Sequence, residues 1–178
     1  MKLLIVVASK GGRTRRMADA LAEGAREAGA EVTLRRPEEA QDDELLAADA
    51  VVLGSGVHMG GVESSLVAFF ERMAPLWLAG RLRGKVGAAF VSCGDGERGG
   101  GELTLLALLA WLAENGMLLL PMHNRQPGYR EIGCHWGPLV RTNPVAGVPG
   151  PTDAQLDACR AHGRYLAECT QRWLAGAA

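Results

Sequence analysis

Leu3-Leu4-Ile5-Val6-Val7-Ala8, running into Ser9-Lys10-Gly11-Gly12-Arg13-Thr14, is the stretch on which the fold turns. Six apolar residues in a row, three of them β-branched, read as a strand buried on both faces, and the switch to Ser, Lys and two Gly ends it. From Thr14 the period becomes helical: Met17, Leu21, Ala25 and Ala28 are spaced by four, four and three, Arg16, Asp19, Glu23 and Arg26 fall between them, and Gly29 closes the helix. The unit is strand, loop, helix.

Working outward, the unit recurs. Glu31-Val32-Thr33-Leu34-Arg35 alternates polar and apolar, as suits a sheet edge. Ala50-Val51-Val52-Leu53 is a second buried strand, followed by a Gly-rich turn over residues 54–61 and a helix carrying Leu66, Phe69, Phe70 and Met73 on one stripe. A strand over 86–92, a loop over 93–101, a helix over 102–114 and a strand over 117–120 continue the alternation. Residues 121–151 are rich in Gly and Pro and read as irregular except near Leu139-Val140, which at that length argues for a functional loop or an interface. The last helix opens on a capping box, Thr152-x-x-Gln155, and is expected to bury Leu156, Cys159, Gly163, Leu166 and Trp173.

Parallel strands need crossover connections, so this alternation means an α/β fold with helices on both faces of a parallel sheet. With the alternating strand at an edge and the two apolar ones inside, the expected sheet is five-stranded in the order 2-1-3-4-5, one domain over residues 1–178. Ligands of such sheets bind beyond the carboxyl ends of the strands.

Composition narrows the function classes. In 178 residues, 19 Lys+Arg against 20 Asp+Glu leave a net charge of −1, which points away from a nucleic-acid partner. The apolar stretch over 103–122 is broken by Glu114, Asn115, Gly116 and Pro121, so no membrane span or membrane partner is expected, and a cytoplasmic protein is. Cys93, Cys134, Cys159 and Cys169 show no CxxC spacing, and His123, Cys134 and His135 match no standard zinc pattern, so no metal site is expected.

Three loops carry the chemistry. Ser9, Lys10, Gly11, Gly12, Arg13 and Thr14 join a central strand to a helix N-terminus, where unpaired N–H groups and the dipole attract a phosphate; a plain tight turn capped by Thr14 is the alternative. Lys10, Arg13, Arg15 and Arg16 crowd cations at that helix start, which a bound phosphate would compensate. The second loop is Ser55, Gly56, Val57, His58, Met59 and Gly60, in which His58 is either a donor to a ligand or a solvated side chain. The third contains Gly94-x-Gly96-x-x-Gly99, which formally matches a dinucleotide fingerprint. It lies on the fourth strand and lacks the acidic ribose partner, so Ser92, Gly94, Asp95 and Gly96 are read as donors to a planar ligand.

As a set, these loops resemble the flavodoxin-like three-layer sandwich proteins, and specifically the tryptophan-repressor-binding-protein-like (WrbA-like) NAD(P)H:quinone oxidoreductases. Ser9-x-x-Gly12-x-Thr14 is similar to that family's FMN phosphate loop. Phe69-Phe70-Glu71-Arg72 through Leu76-Trp77-Leu78-Ala79-Gly80 to Gly84-Lys85 resembles its Leu-Trp segment, and Ser92-x-Gly94 with Gly99-Gly100-x-Glu102 its flavin-edge loop. Asn115-Gly116-Met117 and Pro151-Thr152 match further. The resemblance implies FMN as cofactor, held by the three loops together with Cys93 and Asn115, and Gly11 and Trp77 beside the substrate. Trp77 would come from a neighbouring subunit of a dimer or tetramer. It also implies hydride transfer from NADH or NADPH to a small quinone, with the flavin rather than a protein nucleophile carrying the chemistry. Where the family has Gly-Thr-Pro-Thr-Arg-Phe-Gly-Asn, this chain has Gly54-Ser55-Gly56-Val57-His58-Met59-Gly60-Gly61, losing the Pro, Arg and Phe. A flavodoxin-type electron carrier and a flavin-binding regulatory module are the rival readings; the first fits poorly with so small a net charge and no aromatic in the second loop.

Overall fold

The computed structural model describes residues 1–94, 100–142 and 150–176. β1 (Lys2–Ala8) lies between β2 (Glu31–Arg35) and β3 (Ala50–Gly56); β4 (Val86–Cys93) follows β3, and β5 (Leu118–Leu119) follows β4, all parallel. The order is the expected 2-1-3-4-5. A sixth strand, β6 (Leu139–Arg141), also pairs in parallel with β4, alongside Val91, Ser92 and Cys93, whereas β5 pairs alongside Val86 and Gly87. β5 and β6 thus share one edge, each covering one end of β4.

The unbroken apolar run of β1 has its explanation in two cores. Leu3, Ile5 and Val7 face a cluster that includes Met17 and Leu21 of α1 (Arg13–Glu27) and Leu166 of α7 (Asp153–Gly176). Leu4, Val6 and Ala8 face the other, with Leu45 of α2 (Asp42–Ala47), Leu66 and Phe69 of α3 (Ser64–Arg72), and Leu105 and Leu108 of α5 (Gly100–Glu114). Successive strand residues point to opposite faces, so only a strand covered on both sides needs every residue apolar. α1 and α7 meet backbone to backbone: a Cβ on Gly163 would lie 2.0 Å from the Leu21 carbonyl oxygen, and one on Gly24 would lie 1.9 Å from that of Arg160.

Several expectations need correction. β3 continues through Gly56, because Gly54, Ser55 and Gly56 pair with β1 or β4 and the Phe90 ring occupies the space a Cβ on Gly54 would need. Trp77 belongs to a short helix the sequence did not show, α4 (Ala74–Leu78), with Pro75 in its first turn. α2 is an unforeseen helix with a capping box between Gln41 and Glu44. α1 starts from Gly12 at φ 76°, not from a Thr14 cap. The long connection holds a one-turn helix, α6 (Tyr129–Ile132), besides β6. The capping box at Thr152 and Gln155 forms, but Trp173 is exposed, its indole N–H donating to the Gly84 carbonyl at 3.1 Å. Among the described residues no helix is long and apolar enough to cross a membrane.

α7 also buries His162, with neither ring nitrogen partnered among the described residues. Burial holds the imidazole neutral, its pKa pushed down to about 4. In the unfolded chain it would protonate near 6.5, so the unfolded state binds the proton first, and stability is lost as pH falls from about 6.5 to about 4, by on the order of 3 kcal/mol. We expect urea midpoints of the wild type to drop over that window relative to those of His162→Leu; parallel pH profiles would contradict this.

Candidate functional site

The carboxyl ends of β1, β3 and β4 open on one side of the sheet, and their loops are tied together there. After β1, Ser9 accepts a hydrogen bond from the Arg15 N–H at 3.1 Å, and Arg16 N–H donates to Gly12 at 3.1 Å. The N–H groups of Gly11, Gly12, Arg13 and Thr14 find no acceptor among the described residues, the first turn of α1 carries no acidic side chain, and a Cβ on Gly11 or Gly12 would meet nothing within 4 Å. Four adjacent donors in open space, at the positive end of a 15-residue helix, fit the phosphate of a flavin mononucleotide.

Thr14 does not serve the helix; its buried hydroxyl pairs with that of Ser92, at the end of β4, at 2.8 Å. Ser92 also accepts, through its carbonyl, the Val57 N–H at 2.9 Å. One residue of the third loop therefore clamps the other two. His58 and Gly61 exchange two backbone hydrogen bonds, at 2.9 and 3.0 Å, around Met59 (φ 49°) and Gly60 (φ 81°), closing a type I′ hairpin with the Met59 side chain fully exposed at its tip. This uses up the N–H groups of Val57 and His58, so only Met59 and Gly60 in that loop keep donors without an acceptor among the described residues. The half-buried His58 ring folds back: its Nε2 lies 3.3 Å, and the Thr14 hydroxyl 3.5 Å, from the point a Cβ on Gly56 would occupy. Ser9 to Thr14, Gly56 to Gly60 and Ser92 to Gly94 are thus one constellation. Cys93 is buried, as a small thiol should be in this place. Asp95 and Gly96 lie outside the described residues.

The cation crowding at the helix start proves partly committed: Arg15 pairs with Asp19 at 2.9 Å, and Lys10 reaches Glu63 at 3.2 Å. Glu63 went unnoticed in the sequence, where it belongs to no motif, although Glu63-Ser64-Ser65 ahead of an apolar stripe is a helix-start pattern. It caps α3, accepting the Ser65 N–H at 3.0 Å, the Ser64 hydroxyl at 3.2 Å and the Ser65 hydroxyl, while its own N–H donates to Ser55 at 3.0 Å. Burial alone would raise its pKa; the hydrogen bonds from Ser65, Lys10 and Ser64 outweigh that and hold it down at about 2. The first two loops are therefore joined on their outer side by a buried carboxylate.

Trp77 and Asn115 are brought together with each other rather than with the three loops. With Phe70, Met73, Trp111 and Glu114 they line a separate groove of about 230 Å³, in which the Trp77 indole donates to the Glu114 carbonyl at 3.2 Å and the Asn115 side-chain oxygen is buried without a donor among the described residues.

Fold and loops together define a flavodoxin-type α/β protein. A flavodoxin-domain family model matches residues 4–94. Proteins named NAD(P)H dehydrogenase (quinone) from Rhizobium rhizogenes and Afipia carboxidovorans are 33% and 31% identical to the chain over 199 and 196 residues. The matches cover 98% and 96% of this chain and 99% and 98% of those proteins. In shape, the WrbA-like flavodoxin of Agrobacterium tumefaciens superimposes with a TM-score of 0.75 at 24% identity, covering 96% of this chain and 98% of that one; flavodoxin 1 of Bacillus cereus gives 0.70 at 21%, covering 94% and 98%. The chain belongs to the flavodoxin-domain family, and over nearly its full length its relatives are named NAD(P)H dehydrogenase (quinone).

Glu63→Ala is expected to destabilise the fold by about 1–3 kcal/mol, through loss of the cap and of the acceptor for the Ser64 and Ser65 hydroxyls. Glu63→Gln, which keeps an acceptor, should cost less. Because the folded pKa is depressed, the carboxylate's contribution is present above about 4.5 and lost as pH falls towards 2, so wild type and Glu63→Gln should converge in acid unfolding curves; a pH-independent gap would contradict the ionic role.

Proposed function

We propose that the protein is an FMN-dependent oxidoreductase that passes two electrons from NADH or NADPH to a quinone-like acceptor, its 178 residues forming one FMN-binding domain. The observation that carries this is the row of four N–H groups from Gly11 to Thr14 without an acceptor among the described residues, cross-tied to the second and third loops in a chain whose relatives over nearly its full length are named NAD(P)H dehydrogenase (quinone). FMN, when bound, supplies the redox chemistry. The residues supply the rest. The Gly11–Thr14 backbone holds the phosphate, with Ser9 and Thr14 shaping its cradle. Met59, Gly60 and Gly94 offer N–H donors to the ring edge, where reduction adds negative charge. His58, folded over Gly56, walls the cleft and stands where the family has Arg. Ser92 fixes the distance between the phosphate cradle and the ring loops.

Trp77 (43% exposed), Leu78 and Trp136 leave large apolar surface on one chain. Their exposure supports a cytoplasmic dimer or tetramer in which the Trp77–Asn115 groove approaches a neighbour's ring.

Gly12→Val places a branched side chain at φ 76°, against a cradle that a phosphate must approach closely. We expect FMN affinity, followed by quenching of flavin fluorescence, to fall at least about a hundredfold while the circular dichroism of the fold persists; unchanged affinity would move the phosphate elsewhere. With one ring face serving donor and acceptor by turns, initial rates against NAD(P)H at several benzoquinone concentrations should give parallel double-reciprocal lines. No NAD(P)H oxidation with FMN demonstrably bound would overturn the enzyme reading.

A further inference from the structure

The outer surface of α5 is apolar where a surface helix should be polar. From Leu103 to Ala113 the helix carries no charged side chain and one hydroxyl, that of Thr104, which is buried. One stripe, with Leu105, Leu108 and Leu112, faces the core. A second, Leu103, Leu106, Ala110 and Ala113 at spacings of three, four and three, faces out, with Leu103 61% exposed. A helix apolar on every side belongs in an interior, so the outward stripe requires a cover that the described residues do not supply. Val67 of α3 and Leu78 of α4 extend the same face, and the Phe70 and Trp111 rings, 3.9 Å apart between centroids, join α3 to α5 beneath it.

The two ends of this face match each other. At the N-terminal end of α5 stands the hairpin tip of the second loop: the position of a Cβ on Gly100 lies 2.9 Å from Val57 Cγ1 and 3.6 Å from Gly60 Cα. Met59, at that tip, is fully exposed and holds φ 49°, a left-handed conformation that Asn or Gly would adopt with less strain. At the C-terminal end lies the groove of about 230 Å³ walled by Phe70, Met73, Trp77 and Trp111, a socket of aromatic rings of the kind that holds a thioether. α5 has 15 residues, so knob and socket are about 21 Å apart and cannot meet within one chain. A two-fold axis perpendicular to α5 runs two such helices antiparallel, brings the N-terminal end of each to the C-terminal end of the other, and seats both methionines at once. Met59, Val67, Trp77, Leu78, Leu103 and Leu106 together expose on the order of 700 Å² per chain, near the ~800 Å² that each partner of a stable complex buries.

We propose that the α3–α5 face is the interface with a second copy of this chain, the antiparallel α5 helices forming the seam and Met59 of each copy filling the Phe70–Trp77–Trp111 groove of the other. The proposal gives the dimer a defined surface and rests on there being a dimer; it needs neither FMN nor turnover.

Sedimentation velocity at micromolar concentration should show a dimer or an even multiple of it. Ala110→Glu and, separately, Leu106→Lys put a charge on the outward stripe, where a monomer tolerates it. Each should raise the dimer dissociation constant at least a hundredfold with the circular dichroism of the fold unchanged. Met59→Gly suits φ 49° better than methionine does, so the fold should be no less stable in urea while the dimer weakens at least tenfold. For the seat itself, Met59→Cys combined with Ala74→Cys, in a chain carrying Cys169→Ser, should give an interchain disulfide on oxidation with diamide, since Ala74 lines the groove. Met59→Cys without Ala74→Cys should give none, because the two-fold holds the two Met59 positions at opposite ends of the seam. A dimer indifferent to both charged variants would keep the dimer and overturn this interface. A dimer that they dissociate, but that ignores Met59→Gly and forms no cross-link between the two positions, would overturn the seating of Met59. A monomer that still passes electrons from NAD(P)H to benzoquinone would sink the interface and leave the oxidoreductase reading standing; a dimer behaving as expected, in a protein that oxidises neither donor, would do the reverse.

Discussion

Everything in this molecule is arranged around the double burial of β1. Its backbone N–H and C=O groups are satisfied by β2 on one side and β3 on the other, and its side chains from Leu3 to Ala8 are at most 3% exposed. A buried strand of this kind tolerates no polar residue on either face and no missing neighbour, since each unpaired backbone group would cost about as much as a lost hydrogen bond. Helices must cover both sides: α1 and α7 on one, α2, α3 and α5 on the other. The first place where the chain can turn polar is the end of β1, which is why Ser9 to Thr14 emerges at the sheet's carboxyl edge with its donors unspent.

The site inherits its rigidity from that placement. The β1, β3 and β4 loops are neighbours because their strands are, and two short bonds to Ser92, from Thr14 and from Val57, fix their spacing from inside. On the outside, Glu63 joins Lys10 to the start of α3. The loss of the family's Pro, Arg and Phe in the second loop is offset by local geometry rather than by new bulk. A type I′ hairpin at Met59 and Gly60 closes the loop on itself, and the His58 ring occupies space above Gly56.

The opposite edge of the sheet shows a different solution to the same need for satisfied backbone. β5 covers only Val86 and Gly87, and the chain then leaves the sheet before β6 returns to cover Val91 to Cys93. Gly137 passes so close to the Ala89 carbonyl that a Cβ there would lie 2.3 Å from it, and Val91 N–H donates to Pro138 at 2.9 Å, so the gap between the two half-strands is narrow. The departing segment carries the exposed Trp136, and the groove beside α4 the exposed Trp77.

Local pattern determined what local pattern can: the continuous apolar runs of β1, β3 and β4, the 3.6-residue stripes of α1 and α7, the Thr152–Gln155 box and the polar edge of β2 are each decided within a few residues. The strand order followed from them, because buried and half-buried strands cannot exchange places. Other features depend on partners dozens of residues apart and leave no local trace. Gly54-Ser55-Gly56 looks like a turn until Phe90 is seen filling the space beside Gly54. Thr14 looks like a cap until Ser92 takes its hydroxyl. Glu63 looks like a surface acid until Lys10 and two serines surround it. Periodicity and turn chemistry are properties of the chain, written in its sequence; whether a given donor, acceptor or charge is spent or still free is a property of the packed structure, and it is on that distinction that this site's chemistry rests.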